Sequence, residues 1–361
     1  MKYKVLLDLE RLKYPYSGIA QVFKSLARGF VFYSPKHLKI DFFAPENEEI
    51  SHFKPNVILW KKWHKFFEYF SNSYNIVHVS HQLSPYFSGN YRNTKKLVTL
   101  HDFNFLHEKL SGKKKRKVMK RVQRSLRYAD YIVCISHFVK KDFEVHRHLF
   151  KLPKLKEVFV AYNGLTFPKE SDYRGYLPPF LRERSFLLNI GELVSKKNQE
   201  TLIPMILALN REIDLVLVAS GGRVDYEDEI VELIKLHKLQ GKVHILKNIT
   251  NEVKYALIQS SSGVCLPSLA EGFGLPVIEA MYFGKPIFLS SFTSFPEIGG
   301  SLAYYFKNFD PEEMAATVEK GLEDFKRRSE LKILYKKWAL RFDEKMMAKS
   351  YLEIYDKILS I

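Results

Sequence analysis

The sequence predicts an α/β protein made of two doubly wound domains, each built on a parallel sheet. Short runs rich in Val, Ile, Leu and Phe recur along the chain between longer amphipathic stretches, which is typical of strands buried on both faces of such a sheet. The 361 residues, 46% of them hydrophobic, suffice for two domains of ordinary size. The pattern pauses once, at 164–184, where prolines, glycines and charged residues are typical of a linker between domains.

The strands predicted from these runs divide equally between the two halves. The first half has them near 3–9, 38–44, 75–79, 96–100, 131–135 and 157–161, and the second half near 185–190, 214–219, 242–246, 263–267, 286–290 and 302–306. After residue 310 helical patterning takes over, and Asp310-Pro311-Glu312-Glu313 predicts a helix start with a cap, a proline at the first position and an acidic first turn. In open parallel sheets the ligand lies outside the carboxyl ends of the strands, so the loops that follow the strands hold the candidate site residues.

The two halves of the sequence differ in net charge. Residues 1–170 carry 32 basic and 14 acidic side chains, whereas 171–361 carry 25 and 26, so the formal net charge of +17 belongs to the first half. Such a balance indicates an anionic partner for one domain: nucleic acid, an anionic membrane surface or a phosphorylated substrate. Cys134 and Cys265 both lie in apolar runs, which excludes a disulfide framework and predicts buried thiols in a reducing compartment.

The amino-terminal stretch does not resemble a signal peptide. Asp8, Glu10 and Arg11 stand where a signal peptide would need its apolar stretch, and no uncharged apolar run reaches the roughly 18 residues of a spanning helix. We therefore expect a cytoplasmic protein, or one bound peripherally to the cytoplasmic face of the inner membrane.

The stretch 267–286, PSLAEGFGLPVIEAMYFGKP, carries the most chemistry. A strand ends at Pro267, a loop containing Gly272 and Gly274 follows, and Pro276 stands where a helix begins. A helix amino terminus behind two glycines offers unpaired N–H groups to a phosphate. Glu271 and Glu279 can both face that site and accept hydrogen bonds from neighbouring hydroxyls. The alternative from spacing alone is a glycine-rich turn with two solvated glutamates.

Several motifs, in order along the chain, resemble the family-4 retaining glycosyltransferases of the GT-B fold. The run 271–280 resembles the Glu-x7-Glu signature of that family, and three further segments match its motifs: Tyr162-Asn163-Gly164, 191–198 (GELVSKKN) and 295–300 (FPEIGG). The resemblance covers most of the chain and implies two Rossmann-like domains, over 1–168 on the acceptor side and over 169–340 on the nucleotide-sugar side. It also implies that a final helix, 341–361, crosses back to the first domain.

The resemblance assigns roles residue by residue. Glu271 should contact the transferred sugar, Glu279 should hold the ribose, and Lys197 should neutralise the diphosphate as it leaves. Further donor-binding positions are Gly18, Gly191, Glu192, Lys196, Gly272, Phe273, Gly274 and Leu275. Glu192 departs from the family, because many members have arginine there and a carboxylate cannot replace it.

The first domain supplies a smaller set of candidates. His101 ends the strand 96–100, and the family commonly places a histidine there against the donor sugar, so we expect a catalytic role beside Glu271 and Lys197. His78, His81 and Ser136 are candidates for the acceptor side, although a core or surface role is equally open for the two histidines. No Asp-x-Asp occurs in the sequence. We therefore expect no metal and no cofactor, with positive side chains and helix termini binding the diphosphate.

Two segments concentrate the basic charge. Residues 54–70 interleave aromatic residues with lysines at helical spacing, and 109–127 hold ten basic side chains and no acid. The first is typical either of a helix in a membrane interface or of a crossover helix with a basic outer face. Nucleic acid is the rival partner for the second, but the sequence has no recognisable nucleic-acid module, which favours an anionic membrane.

The resulting hypothesis is a hexosyltransferase of lipopolysaccharide or surface polysaccharide synthesis. It would transfer a sugar from a UDP- or GDP-linked donor to a glycan or lipid-linked acceptor, and the resemblance implies mannose or glucose as the most common transferred sugars. The alternative is a non-catalytic carbohydrate- or nucleic-acid-binding protein on a degenerate GT-B scaffold.

Overall fold

The computed structural model describes residues 3–46, 56–66, 73–108, 111–219 and 221–361. The chain divides into two compact units, unit 1 with residues 1–166 and 342–361, and unit 2 with residues 167–341. The sequence-based prediction put the domain boundaries after residues 168 and 340.

Unit 1 is built on a parallel sheet. Its described strands are β1 (Tyr3–Asp8), β2 (Leu38–Ala44), β3 (Val57–Leu59), β4 (Ile76–Val79), β5 (Lys95–Leu100), β6 (Tyr131–Cys134) and β7 (Glu157–Val160). They lie in the order β3-β2-β1-β4-β5-β6-β7. This order reverses direction between β1 and β4, and such a switch point leaves a crevice at the carboxyl ends of the strands.

The helices of unit 1 connect these strands. Those in the described residues are α1 (Gly18–Tyr33), α2 (Asn104–His107), α3 (Gly112–Leu126) and α4 (His137–His146), followed in sequence by α12 (Glu344–Leu359). The final helix, α12, packs against α1 within unit 1. A Cβ added to Gly29 of α1 would lie 2.7 Å from the Ala348 Cβ, so the absent side chain allows this close approach.

Unit 2 repeats the architecture. Its described strands are β8 (Phe186–Ile190), β9 (Asp214–Ala219), β10 (Val243–Lys247), β11 (Gly263–Leu266), β12 (Ile287–Ser290) and β13 (Tyr304–Phe306), in the order β10-β9-β8-β11-β12-β13. The described helices are α5 (Leu202–Ala208), α6 (Val224–Leu236), α7 (Asn251–Ser260), α8 (Leu275–Tyr282), α9 (Phe295–Gly299), α10 (Pro311–Arg327) and α11 (Leu331–Ala339). This is the Rossmann strand order, and its switch point falls between β8 and β11.

The predicted fold class is confirmed. All twelve predicted strands are present, with ends within two residues of the prediction. The predicted cap of α10 is confirmed too, since the Asp310 side chain accepts hydrogen bonds from the backbone N–H groups of Glu312 and Glu313. Cys134 and Cys265 are free and buried, and burial raises the pKa of both thiols.

One helical interpretation is wrong. Within 54–70, the described part has an edge strand, Val57–Leu59, and a short 3-10 turn, Lys62–Lys65, in place of an amphipathic helix. Residues 54–55 and 67–70 lie outside the described residues. The edge of the sheet explains the difference, because Val57 and Ile58 are β-branched and pair with Phe42 and Phe43 of β2. The tail 330–361 is also interrupted, by the 3-10 turn Leu340–Phe342.

Among the described residues, no helix is both long enough and apolar enough to span a membrane.

Candidate functional site

The candidate site of unit 2 lies at the switch point of its sheet. The loop after β8 carries Gly191 to Lys197, and the loop after β11 carries Pro267 to Gly274. Because β8 and β11 are adjacent parallel strands, both loops lie at the same edge of the sheet. The backbone N–H of Leu269 donates to the Lys196 carbonyl at 2.8 Å, which joins the two loops directly.

Glu271 and Lys197 meet across these loops. The Lys197 ammonium forms an ion pair with Glu271 Oε1, and the two side chains are 18% and 15% exposed. The same oxygen accepts a hydrogen bond from Ser268 Oγ at 3.0 Å. The Glu271 backbone N–H donates to Thr293 Oγ1, also at 3.0 Å. Hydrogen bonds therefore hold both the backbone and the side chain of Glu271. The sequence predicted both members of the pair, and the structure brings them into contact.

The glycine-containing loop is fixed from one side. Ser294 Oγ donates to the carbonyl oxygens of Glu271 and Phe273, each at 3.0 Å. Gly274 has φ +104°, and a Cβ there would lie 2.7 Å from Phe295 Cε1, so both the backbone conformation and the packing require glycine. The Phe273 side chain is buried, and Leu275 begins α8.

Glu279 lies one turn into α8 and has a partner that the sequence did not reveal. Its carboxylate is paired with Lys254 of α7, with Nζ 2.5 Å from Oε1, and the side chains are only 9% and 12% exposed. Lys254 occupies an ordinary amphipathic helix, and its spacing to the signature residues carries no signal. Its pairing with Glu279 depends on the packing of α7 against α8.

The remaining donor-side candidates surround Lys197. Gly191 lies beside the lysine stem, and its N–H donates to the Val218 carbonyl at 3.0 Å. The Glu192 side chain is exposed, while its carbonyl accepts a hydrogen bond from Gln199 Nε2 at 2.9 Å. Lys196 is half-buried. Asn198 follows with φ +59°, which turns the chain into the 3-10 turn Gln199–Thr201.

His101 of unit 1 lies just beyond β5, as predicted, and is buried. Its Nε2 is 2.8 Å from the Ser80 carbonyl, which can only accept, so Nε2 carries the proton. Burial lowers the pKa of His101 to about 4, and the imidazole is therefore neutral at pH 7. Its backbone N–H donates to Gln82 Oε1 at 3.1 Å.

The two acceptor-side histidines have different surroundings. His78 lies in the core, with Nδ1 2.7 Å from the Tyr355 hydroxyl of α12 and Nε2 2.7 Å from Thr99 Oγ1. This is the core role that the sequence left open. His81 lies near His101, with the two ring centroids 5.3 Å apart. Its Nδ1 is 3.3 Å from an Arg11 guanidinium nitrogen.

Gly18 and Ser136 are both found at helix starts. Gly18 is the first residue of α1, and its neighbour Ser17 caps the helix by accepting from the Ala20 N–H at 3.2 Å. Ser136 is fully buried and caps α4 by accepting from the Val139 N–H at 3.1 Å. The geometry gives Ser136 this capping role.

Asp8 is a buried acid for which the sequence predicted no site role. It ends β1, beside the switch point of unit 1, and accepts a hydrogen bond from the Glu10 N–H at 2.9 Å. The hydroxyls of Ser80 and Ser84 lie 3.3 Å from its other oxygen. Burial, with Glu10 nearby, raises the pKa of Asp8 to about 7. A lone acid inside the apolar run VLLDL was the available signal.

Comparison with known proteins identifies the type of domain in unit 2 and the fold of both units. Residues 179–338 match the family described as glycosyl transferases group 1, so unit 2 contains a domain of that type. The two parallel-sheet units are those of the GT-B fold. Sucrose-phosphate synthase of Thermosynechococcus elongatus superposes with a TM-score of 0.75 at 16% identity, covering 99% of this chain and 100% of that one. HepE of Anabaena, solved with UDP and glucose, gives 0.73 at 16% identity over 99% and 100%.

Two of the sequence relatives are O-antigen chain mannosyltransferases. The O-antigen chain mannosyltransferase B of Escherichia coli is 27% identical over 253 residues, which are 66% of this chain and 64% of that protein. The O-antigen chain mannosyltransferase RfbU of Salmonella typhimurium is 25% identical over 200 residues, 55% and 52% of the two chains. The chain is homologous to these enzymes, and the matched segments span about half to two thirds of their lengths.

Proposed function

We propose that this chain is a retaining glycosyltransferase of family 4, which moves a hexosyl unit from a nucleotide diphosphate sugar to a hydroxyl group of a glycan or lipid-linked acceptor. The observation that carries the proposal is the Lys197–Glu271 ion pair, held at the switch point of unit 2 beside the glycine-preceded start of α8. Glu271 and Glu279 are then the two carboxylates of the Glu-x7-Glu signature.

The chemistry follows from the charges that develop. The nucleotide diphosphate leaves as an anion, and Lys197 together with the N–H groups at the start of α8 would stabilise it. Glu271, which already accepts a hydrogen bond from Ser268, would accept hydrogen bonds from sugar hydroxyls. Glu279 would bind the ribose, and the ion pair with Lys254 holds its carboxylate in a nearly buried position.

Retention is assigned to a same-face route, in which the departing diphosphate takes the proton of the acceptor hydroxyl and no side chain serves as base. The bond between the anomeric carbon and the phosphate oxygen breaks as the bond to the acceptor oxygen forms. A covalent sugar adduct on Glu271, detected by mass spectrometry of the intact enzyme, would replace this route by a double displacement.

The relatives support the choice of sugar and process. Mannosyltransferases of O-antigen synthesis are homologous over much of the chain, so we assign a mannosyl donor first and a glucosyl donor second. The base is assigned as uridine or guanosine. The process is lipopolysaccharide or surface polysaccharide synthesis.

Binding of the diphosphate is assigned to protein groups without a metal. The sequence has no Asp-x-Asp, and the cations beside Glu271 and Glu279 are lysines. Among the described residues, the three-residue His/Asp group that could hold a metal ion lies in unit 1.

The basic charge of unit 1 is assigned to an anionic membrane surface. Helix α3 carries eight basic residues and no acid, and most of these side chains are exposed. A second basic and aromatic patch is formed by Lys61, Lys62, Trp63, Lys65 and Phe66, where Trp63 is 45% and Phe66 71% exposed. Aromatic rings and lysines side by side suit the headgroup region, where a lipid-linked acceptor would lie. Peripheral attachment to the cytoplasmic face follows.

The test is turnover with a panel of UDP-, GDP-, ADP- and dTDP-linked sugars, read as release of the nucleotide and as labelled product on a lipid-linked acceptor. Transfer from one donor supports the proposal. Binding of a sugar or a nucleic acid without any release or transfer from the whole panel would favour the non-catalytic scaffold, for which Glu192 in place of arginine is the supporting observation.

A further inference from the structure

Three side chains with metal-binding atoms meet in unit 1, and none of them is a residue to which a role has been assigned above. They are His107, the last residue of α2, and Asp142 and His146 of α4. The two residues of α4 are four positions apart, so they lie on the same face of the helix. His107 then approaches this pair from the neighbouring helix, which brings ligand atoms from two elements to one point.

The distances fit a small ion. Oδ1 of Asp142 lies 3.0 Å from Nε2 of His107 and 3.0 Å from Nδ1 of His146. The three ligand atoms all lie within 4.8 Å of one another. In a tetrahedral site with bonds of 2.0–2.1 Å, neighbouring ligand atoms are about 3.3 Å apart. The two separations from the Asp142 oxygen would therefore have to lengthen by about a few tenths of an ångström for an ion to enter.

From this geometry we propose that His107, Asp142 and His146 bind a divalent first-row transition metal ion such as Zn²⁺. Two imidazoles and one carboxylate suit zinc, cobalt or nickel, whereas Mg²⁺ and Ca²⁺ prefer oxygen ligands only. The carboxylate is the most enclosed ligand, 10% exposed, and the two histidines are 44% and 24% exposed. The fourth position is then open to water.

Binding exchanges existing hydrogen bonds for metal bonds. Nδ1 of His146 also lies 2.9 Å from the Asp142 carbonyl, and this contact would be given up. Each imidazole would bind as the neutral form, with its proton on the other ring nitrogen. The surroundings oppose tight binding, because Lys115 Nζ lies 3.1 Å from the Leu106 carbonyl and Lys140 and Lys141 belong to α4.

The position gives the site a structural consequence. His107 is followed, across residues 108–111, by the basic helix α3. An ion bound to His107 and to two residues of α4 would join α2 to α4. The proposed site belongs wholly to unit 1, and it does not depend on the transfer reaction assigned above.

Cobalt titration of the full chain, first stripped with a chelator, tests the proposal. We expect one Co²⁺ per chain, with the visible absorption of a tetrahedral centre and displacement by Zn²⁺. His107→Ala, Asp142→Asn and His146→Ala should each weaken binding about a hundredfold or more, since loss of even an outer-shell partner costs 10- to 100-fold. His148→Ala is the matched control, because it removes an exposed histidine two residues beyond the group and should leave the affinity unchanged.

A second readout separates the site from a simple hydrogen-bonded cluster. Zn²⁺ should raise the unfolding temperature of the unaltered chain and of His148→Ala, but not that of His107→Ala. The exposed His107 can be removed without opening the core, and circular dichroism would show that the variant is folded. Equal binding by all four variants, or no binding by the unaltered chain, would overturn the metal site and leave only the hydrogen-bonded cluster.

Discussion

Lys254 Nζ lies 2.5 Å from Glu279 Oε1, and both side chains are almost removed from solvent. This pair joins α7 to α8 beside the loop that carries Glu271. Because a buried charge without its partner is costly, the pair is both a stability element and the support of a proposed ribose-binding residue.

Lys254→Met should destabilise unit 2 by about 3–5 kcal/mol, because it leaves the Glu279 carboxylate buried and unpaired. The measurement is the free energy of unfolding from urea titration. Lys254→Met combined with Glu279→Gln should recover most of the loss, since the second change removes the unpaired charge.

The matched control is the exposed pair Lys235–Glu232 of α6, whose side chains are 57% and 71% exposed. Lys235→Met should cost less than about 1 kcal/mol. A loss for Lys254→Met no larger than this would show that the Lys254–Glu279 pair is hydrated.

The contrast between Lys254 and Glu271 shows what the sequence could predict. Strands, linker and glycine loop follow from local patterns, and the resemblance to a known family named Lys197 and Glu271 as site residues. That the two form an ion pair comes from the structure, in which they follow adjacent strands of a parallel sheet. Lys254 and Asp8 were not predictable in this way. The role of Lys254 depends on which helix packs beside α8, and that of Asp8 depends on which hydroxyl groups surround the end of β1. The spacing of residues along the sequence predicts neither of these contacts.

The error at 54–70 has a related cause. Aromatic and aliphatic residues at helical spacing also fit a short edge strand followed by a turn, and the pairing of β3 with β2 decides between them. Sheet pairing is a long-range property that a local window does not contain.

Glu271→Gln and Lys197→Met should each lower kcat for sugar transfer about a hundredfold or more, because each removes a charged group that is proposed to act on the reacting sugar and diphosphate. Initial rates at saturating donor would measure the effect. The variants should keep the circular dichroism spectrum of the parent.

Lys235→Met serves again as the control, and it should retain full activity. Unchanged turnover in both Glu271→Gln and Lys197→Met would remove the site assignment.

Stability should carry a signature of Asp8. Burial raises the pKa of this carboxyl from 3.8 to about 7, so between these values the folded protein holds a proton that the unfolded chain has lost. The contribution of Asp8 to stability therefore falls as the pH rises from about 4 to about 7, and it is constant outside this window.

Asp8→Asn should accordingly become more favourable, relative to the unaltered chain, by about 1.4 kcal/mol per pH unit across that window and by about 4 kcal/mol in total. The comparison of the two proteins cancels the opposite slope from His78 and His101, whose pKa values are lowered by burial. A pH-independent difference would mean that Asp8 is ionised in the folded state at all these pH values.

Transfer should survive removal of divalent ions. Lys197 and the start of α8 are proposed to neutralise the diphosphate, so EDTA should leave the rate unchanged and added Mn²⁺ or Mg²⁺ should not raise it. A strict requirement for Mn²⁺ would contradict the metal-free assignment. Repeating the assay with His107→Ala would show whether any response to metal came from the proposed site in unit 1.

Liposome flotation tests the role assigned to α3. Replacing Lys113, Lys114 and Lys117 by glutamine should weaken binding to vesicles rich in anionic lipid about a hundredfold, because each basic residue near such a surface contributes about 1 kcal/mol. Binding should also fall with rising salt. The control replaces Lys320, Lys326 and Arg327 of α10, which removes the same charge from unit 2. An equal loss in both variants would mean that net charge, and not the face of α3, drives the association.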